Sequence, residues 1–244
     1  MKNLLINIGK KSKKAFSNQI NSKKKDKILK DYYRLIEKNK KLILNENKKD
    51  IKNALKKKVK DNLIKRLILN DKKISDIVNS IKKIIKLKDP TNIVLEKWKR
   101  PNGLNISKVS IPIGVIGVIY ESRPNVTSDV ASLCFKSGNS VILKGGSEAF
   151  YSNRMLSKLF RKSLKKNRVD ENFVQFIDIK RRTVVDFLLT KMKDFIDVLI
   201  PRGGKSLVKK VQKLSTIPTI GHLEGVCHSC LLYTSDAADD TPCV

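Results

Sequence analysis

Two glycine-containing segments of the chain have the residue types that bind anionic ligands. One reads Lys144-Gly145-Gly146-Ser147-Glu148, and the other reads Arg202-Gly203-Gly204. Each follows an apolar run typical of a buried strand and precedes a segment with helical spacing. Glycine lets a ligand approach the backbone closely, and the N–H groups at a helix N-terminus attract phosphates and carboxylates. Glycine-rich turns between strands and helices are common, so these residues alone favour plain tight turns.

A further set of reactive side chains lies near the C-terminus: His222, Glu224, Cys227, His228 and Cys230. A thiol beside an imidazole is typical of a cysteine nucleophile, and Cys-x-x-Cys spacing is typical of a zinc site. Cys230 lies in a segment of different composition, so we interpret the Cys-x-x-Cys pair as accidental and expect no metal. We expect Cys134, in an apolar helical segment, to be a small core residue.

The composition of the chain changes after His228. Residues 229–244 contain no Lys or Arg, although the chain has 53 of them, and they include three aspartates. We interpret this tail as foreign or frameshifted sequence, with a genuine divergent C-terminus as the alternative. Its few apolar residues cannot offset the entropy lost on ordering, so we expect it to be disordered or poorly packed.

The first 110 residues predict a helical segment followed by a hairpin. Residues 1–89 have helical spacing, and one apolar helix face is formed by Ile74, Ile77, Val78, Ile81, Ile84 and Ile85. Pro90 ends that helix, because a residue before proline avoids the α region. Within residues 92–110, strands at Ile93–Trp98 and Leu104–Val109 flank an Asn-Gly turn, which predicts a β-hairpin.

Residues 112–228 predict an α/β fold. The predicted strands are Val115–Tyr120, Val141–Lys144, Val174–Ile177, Val198–Ile200 and Thr216–Ile220. The predicted helices are Val126–Lys136, Glu148–Lys165, Thr183–Lys191 and Gly204–Lys213. Regular alternation predicts a Rossmann-like parallel sheet with helices on both faces. Ligands bind at the carboxyl ends of the strands in such sheets.

The formal net charge of +30 would attract any polyanion at low salt. No zinc finger, RNP aromatics or basic zipper accompanies this charge, so we expect no specific nucleic-acid partner. No apolar run reaches the roughly 18 residues that a membrane span needs. The N-terminus lacks the pattern of a signal peptide, so we expect a cytoplasmic protein.

Three blocks of sequence together resemble γ-glutamyl phosphate reductases (glutamate-5-semialdehyde dehydrogenases), a branch of the aldehyde dehydrogenase superfamily. The first runs from Ile111 to Ala149 and includes Tyr-Glu-Ser-Arg-Pro-Asn-Val-Thr. The second is Ile200-Pro-Arg-Gly-Gly-Lys-Ser-Leu207, and the third runs from Ser215 to His228. The resemblance covers about residues 1–228, which we therefore interpret as one cofactor-binding domain.

The resemblance implies an NADPH cofactor, although the usual Gly-x-Gly-x-x-Gly fingerprint is missing. Lys144 matches the lysine that reaches the adenosine ribose and its phosphate. Cofactor contact is then also favoured for Ser147, Glu148, Arg202, Gly203 and Gly204. Asn125 matches an asparagine whose amide helps to stabilise an oxyanion. The alternative role for Asn125 is to cap a helix N-terminus.

The family activity implied is the NADPH-dependent reduction of L-glutamyl 5-phosphate to L-glutamate 5-semialdehyde, on the way to proline. The family nucleophile lies in a Lys-Thr-Gln-Arg-Pro-x-x-Cys-Asn context, which this chain lacks; Cys227 corresponds to an earlier segment. We therefore expect the catalytic domain to be absent and the 244-residue chain to be inactive. The resemblance also implies a homo-oligomeric parent and glutamate 5-kinase as a partner. The alternatives are a non-catalytic NADP-binding remnant and a basic nucleic-acid-binding module.

Overall fold

The structure is a computed structural model that describes residues 1–181 and 183–221. The segment 222–228, the tail 229–244 and the cluster His222, Glu224, Cys227, His228 and Cys230 lie outside the described residues. Within the described residues, no helix is long and apolar enough to cross a membrane.

Five helices form the N-terminal segment. They are α1 (Lys2–Phe16), α2 (Ser22–Lys38), α3 (Lys40–Lys56), α4 (Asp61–Leu67) and α5 (Asp71–Lys86). Asn21 and Asn70 cap α2 and α5, because their side chains accept hydrogen bonds from the N–H groups of Lys24 and Lys73. The predicted apolar face of α5 is buried, except that Ile85 is only partly buried. Helix α5 ends at Lys86, before Pro90, as predicted.

A two-stranded antiparallel hairpin follows, formed by β1 (Val94–Lys99) and β2 (Asn105–Val109). Gly103 has a φ of 86°, a conformation that glycine adopts without a steric penalty. The hairpin is exposed along both strands, except that Ile106 is half-buried.

A four-stranded parallel sheet forms the centre of the fold. Its strands are β3 (Val115–Tyr120), β4 (Ser140–Gly145), β5 (Val174–Phe176) and β6 (Val198–Arg202), in the order β5-β4-β3-β6. The connecting helices are α6 (Pro124–Lys136), α7 (Phe150–Lys166), α8 (Thr183–Lys191) and α9 (Lys205–Leu214), with a short 3₁₀ turn at Glu171–Phe173. The predicted α/β fold is confirmed.

Alternate residues of the strands pack into two separate cores. Val118 and Leu143 face a core formed with α2, α5, α6 and α7. Val115 and Ile142 face the other side, where they pack with residues of α1, α8 and α9. Because side chains of a strand alternate between its faces, a sheet covered on both sides needs apolar residues at nearly every position. This requirement explains the continuous apolar runs in the sequence.

The predicted strand Thr216–Ile220 is wrong in extent. Only a single bridge joins Thr219 to Leu199 of β6, with hydrogen bonds from Leu199 N–H to Pro218 O and from Ile220 N–H to Leu199 O. Proline has no N–H group, so Pro218 cannot donate to a ladder of strand hydrogen bonds.

Candidate functional site

The carboxyl ends of three strands meet at one edge of the sheet. Tyr120, the last residue of β3, is paired with Gly145 of β4 on one side and with Arg202 of β6 on the other. The loops that follow these strands therefore adjoin one another, as expected for the ligand-binding edge of a parallel sheet. Two cavities lie at this edge, and a third lies beyond it.

The first cavity, which we call the lysine cleft, has a volume of about 460 Å³. It is lined by Leu63, Ile119, Tyr120, Glu121, Ser122, Lys144, Gly145, Gly146, Ser147, Glu148, Lys180, Val185, Ser206, Leu207 and Lys210. The cleft brings together three of the residues predicted from the sequence, namely Lys144, Ser147 and Glu148. The end of β4 supplies Lys144, and the loop after it supplies Ser147 and Glu148.

Lys144 is buried, with 7% of its surface exposed, and its Nζ donates a hydrogen bond of 2.8 Å to the carbonyl of Gly145. Burial lowers the pKa of the Lys144 ammonium, and the nearby charge of Glu148 opposes that effect. Glu148 accepts hydrogen bonds from Ser147 at 2.9 Å and from Ser122 at 3.4 Å. The cleft therefore holds a partly desolvated cation beside a hydrogen-bonded carboxylate.

The expectation that Ser147 and Glu148 begin a helix with free N–H groups is wrong. Helix α7 begins at Phe150. The N–H groups of Tyr151 and Ser152 donate to the carboxylate of Asp50, at 3.0 and 2.8 Å. Asp50 belongs to α3, so a distant part of the chain satisfies this helix end. The first turn of α7 is thus not open to a ligand at these two groups.

The second cavity, which we call the arginine groove, has a volume of about 300 Å³. It is lined by Leu63, Arg66, Glu121, Ser122, Arg123, Val126, Arg202, Gly203 and Gly204. The structure therefore places Arg202, Gly203 and Gly204 in a different cavity from Lys144. The two cavities share Leu63, Glu121 and Ser122.

Glu121 lies at the boundary between the two cavities. Its carboxylate accepts a hydrogen bond of 3.0 Å from the N–H of Gly204, the residue that precedes α9. A Cβ at Gly203 would lie 2.7 Å from Cδ of Glu121, so only glycine leaves room for this carboxylate. The group that approaches the backbone of Gly203 closely is therefore the Glu121 side chain of the protein itself.

The third cavity, of about 630 Å³, lies between α4, α5 and the start of α6 and contains Asn125. Helix α6 begins at Pro124 with Arg123 before it, so Asn125 is not the capping residue. The Asn125 amide donates to Asp129 at 3.1 Å, and Ser80 donates to the same carboxylate at 2.8 Å. A side-chain amide has two N–H donors, so one remains for a ligand in this cavity.

Sequence reasoning missed several polar residues of these cavities, namely Arg66, Glu121, Arg123, Lys180, Ser206 and Lys210. Glu121 directly follows the central strand, which is the signal that could have identified it. The Nζ atom of Lys180 lies 4.5 Å from the ring centroids of both Phe150 and Tyr151. Lys210 pairs with Asp186 at 2.6 Å. Arg66 comes from α4, and nothing in its local sequence indicates that it reaches the sheet edge.

Cys134 is the one cysteine among the described residues, and it is buried. Burial raises the pKa of its thiol to about 12. A thiol with this pKa is protonated at neutral pH and is a poor nucleophile. The expectation of a core cysteine is confirmed.

The chain is similar to γ-glutamyl phosphate reductases of known sequence, although no protein-family model matches it. The enzyme of Clostridium tetani is 42% identical over 226 residues, which make up 92% of this chain and 53% of the relative. The enzyme of a Sulfurihydrogenibium species is 44% identical over 236 residues, or 96% of this chain and 52% of the relative. The chain thus spans about half the length of the curated relatives it matches.

Solved structures of the same kind of enzyme are also similar to this chain. The crystal structure of γ-glutamyl phosphate reductase from Thermotoga maritima matches with a TM-score of 0.85 and 36% identity, over 88% of this chain and 52% of that one. The enzyme from Saccharomyces cerevisiae matches with a TM-score of 0.82 and 31% identity, over 90% of this chain and 56% of that one.

A probable aldehyde dehydrogenase from Listeria monocytogenes shares the fold, with a TM-score of 0.66 at 15% identity, over 90% of this chain and 46% of that one. The names of the more similar relatives do not favour a nucleic-acid-binding module. Sequence and structure together lead to one assignment: the chain belongs to the γ-glutamyl phosphate reductase family, with the aldehyde dehydrogenase fold.

Proposed function

We propose that the chain is the cofactor-binding part of a γ-glutamyl phosphate reductase and that it binds NADPH in the lysine cleft. The observation that carries this proposal is the position of Lys144 at the carboxyl end of β4, in a cleft at the edge of a parallel sheet. Ligands of open parallel sheets bind at this edge. Residues 1–228 would form this domain.

The donor groups of the cleft fit a phosphate-bearing dinucleotide. Lys144, Lys180 and Lys210 supply positive charge, and Ser147 and Ser206 supply hydroxyl groups. A Cβ at Gly146 would lie 2.7 Å from an oxygen of Glu148, so the glycine leaves room for that carboxylate beside the cations of the cleft. Because Asp50 occupies the start of α7, we infer that side-chain cations rather than that helix end hold the phosphates.

We further propose that the full-length relative of this chain reduces L-glutamyl 5-phosphate to L-glutamate 5-semialdehyde, in the cytoplasm and within proline biosynthesis. The cofactor supplies the hydride when bound. Asn125 would donate its remaining amide N–H to the oxygen on which negative charge develops. The nucleophilic cysteine would lie in the part of the longer relatives that the chain does not match. A homo-oligomeric state and an association with glutamate 5-kinase belong to the same proposal.

A fluorescence titration of the 244-residue chain with NADPH tests the cofactor assignment. We expect Lys144→Met to weaken binding at least about tenfold, since a charge-assisted hydrogen bond to phosphate contributes about 1.5–3 kcal/mol. Lys158→Met, at an exposed position of α7, is the matched control and should bind like the parent chain. Both variants must be compared at several salt concentrations, because a +30 protein attracts polyanions generally. Equal affinities of the two variants would contradict the assignment.

A further inference from the structure

The two cavities at the sheet edge differ in the kind of cation they present. The chain has 43 lysines and only 10 arginines. The arginine groove nevertheless contains three arginines and no lysine among its lining residues. The neighbouring lysine cleft contains three lysines and no arginine. Lysine supplies a point charge, whereas the planar guanidinium of arginine matches two oxygens of a phosphate or carboxylate at once.

Three separate elements bring these arginines together. Arg66 lies in the last turn of α4, Arg123 immediately precedes α6, and Arg202 is the last residue of β6. Arg66 and Arg123 also line the cavity that contains Asn125. The groove therefore joins the edge of the sheet to the region of the proposed oxyanion donor.

The positive charge of the groove is not balanced by the protein. Arg154 and Arg161 pair with Asp178 and Glu171, at 3.2 and 3.1 Å. Among the described residues, by contrast, none forms an ion pair or a side-chain hydrogen bond with Arg66, Arg123 or Arg202. The one acidic residue in the lining is Glu121, and its carboxylate accepts the N–H of Gly204. Three guanidinium groups are thus exposed and available to an anion.

We propose that Arg66, Arg123 and Arg202 form an oxyanion site that binds the phosphoryl group of the acyl phosphate substrate, separate from the phosphates of the cofactor. The identity of the substrate rests on the proposed function, whereas the oxyanion chemistry rests on the groove itself. Arg202, which the sequence assigned to the cofactor, then belongs to the substrate side. Inorganic phosphate has the same tetrahedral oxyanion and serves as the probe.

Equilibrium dialysis of the 244-residue chain with radiolabelled inorganic phosphate, at constant ionic strength, tests this site. The variants are Arg66→Lys, Arg123→Lys and Arg202→Lys. Each keeps the positive charge but removes the planar guanidinium group that can bind two oxygens at once. We expect each to weaken phosphate binding about fivefold or more, the loss of part of a bidentate pair. Arg100→Lys, in the exposed hairpin, is the matched control and should leave binding unchanged. Unchanged binding in all three variants would overturn the proposal, since general electrostatic attraction would then explain the binding.

A competition measurement with NADPH separates this site from the cofactor site, once each variant is shown to be folded. Circular dichroism and melting temperature show whether each variant is folded, and Arg66→Lys on the exposed side of α4 suffices if Arg202→Lys does not fold. Saturating NADPH should leave phosphate bound in the arginine groove. Full displacement of phosphate by NADPH would assign the groove to the cofactor and overturn the proposal. If NADPH does not bind while the three variants still lose phosphate, the cofactor assignment fails and the oxyanion site stands.

Discussion

Asp50 of α3 accepts hydrogen bonds from both the N–H and the hydroxyl of Ser152, at 2.8 and 2.7 Å, although the two residues are 102 positions apart. Asn47, one turn earlier on α3, donates to the same hydroxyl at 3.0 Å. These contacts attach the N-terminal helices to the first turn of α7. The loop that carries Ser147 and Glu148 is thereby held from a distant part of the chain.

We expect Asp50→Ala to destabilise the protein by about 2–3 kcal/mol, because it leaves one buried and one partly buried N–H group of α7 without an acceptor. Asp50→Asn keeps one acceptor oxygen and should cost less. Urea unfolding followed by circular dichroism measures the difference. Asp194→Asn, at an exposed position, serves as the control. A loss for Asp50→Ala no larger than that of the control would show that the carboxylate does not anchor α7.

Gly203 and Gly204 should differ sharply in their tolerance of a methyl group. An alanine Cβ at position 203 would meet Glu121 at 2.7 Å and Leu207 at 2.8 Å, whereas at position 204 the nearest atom outside the adjacent residues would be 3.9 Å away. We expect Gly203→Ala to displace Glu121 from the Gly204 N–H and to lower the melting temperature by several degrees. Gly204→Ala should be nearly neutral. Equal melting temperatures for the two variants would contradict the described position of Glu121.

The buried pair Lys25–Asp89, at 2.9 Å, makes part of the stability dependent on pH. Burial alone would raise the pKa of Asp89, but hydrogen bonds from Lys25 and Thr91 outweigh it and leave the pKa lowered. A carboxyl whose pKa is lower in the folded state stabilises the protein above its unfolded pKa of about 4, and this contribution is lost as the pH falls through the folded-state value.

We therefore expect Asp89→Asn to cost about 3 kcal/mol at pH 7, because Lys25, which is 3% exposed, loses its partner. The difference between this variant and the parent chain should shrink as the pH falls below about 4. Urea unfolding at a series of pH values measures it. A difference that is independent of pH would indicate that the ion pair does not contribute.

The affinity for NADPH should fall at a pH below the usual range for a lysine. Burial lowers the pKa of Lys144, and the charge of Glu148 opposes this effect. Because the pKa is lowered overall, the ammonium loses its proton at a lower pH than an exposed lysine does. We expect Glu148→Gln to move the midpoint of the pH profile to lower pH. NADPH titrations between pH 7 and 10 measure both profiles. Identical midpoints for parent and variant would show that Lys144 does not control the affinity.

The 244-residue chain should not reduce glutamyl phosphate, nor oxidise the semialdehyde with NADP. Cys134 is buried with a raised pKa, and the family's nucleophile motif does not occur in the sequence. A coupled spectrophotometric assay tests this expectation. Turnover that disappears in Cys227→Ser would contradict it and identify Cys227 as a nucleophile.

The sequence by itself predicted the helical N-terminal segment, the four strands of the central sheet and the family. Apolar runs such as Val115–Tyr120 and the spaced isoleucines of α5 depend on local periodicity, which a single sequence displays directly. Lys144 and Asn125 are predicted as site residues because they lie within contiguous blocks of sequence. The predictions failed where local sequence was a poor guide to the hydrogen bonds that the backbone makes. Asp50 closes the helix end that local sequence left open, and Pro218 interrupts a strand whose neighbours favour it.

Only the tertiary structure decided how the candidate residues are divided between cavities. Lys144 and Arg202 both lie at the carboxyl ends of strands next to β3, and the local sequences after them look alike. In the folded protein Glu121 lies between them and bonds to Gly204, while Arg66 joins Arg123 and Arg202 from α4. These positions depend on contacts between residues more than 50 positions apart along the chain. Such contacts follow from the packing of whole helices and strands, so they cannot be predicted from the spacing of neighbouring residues.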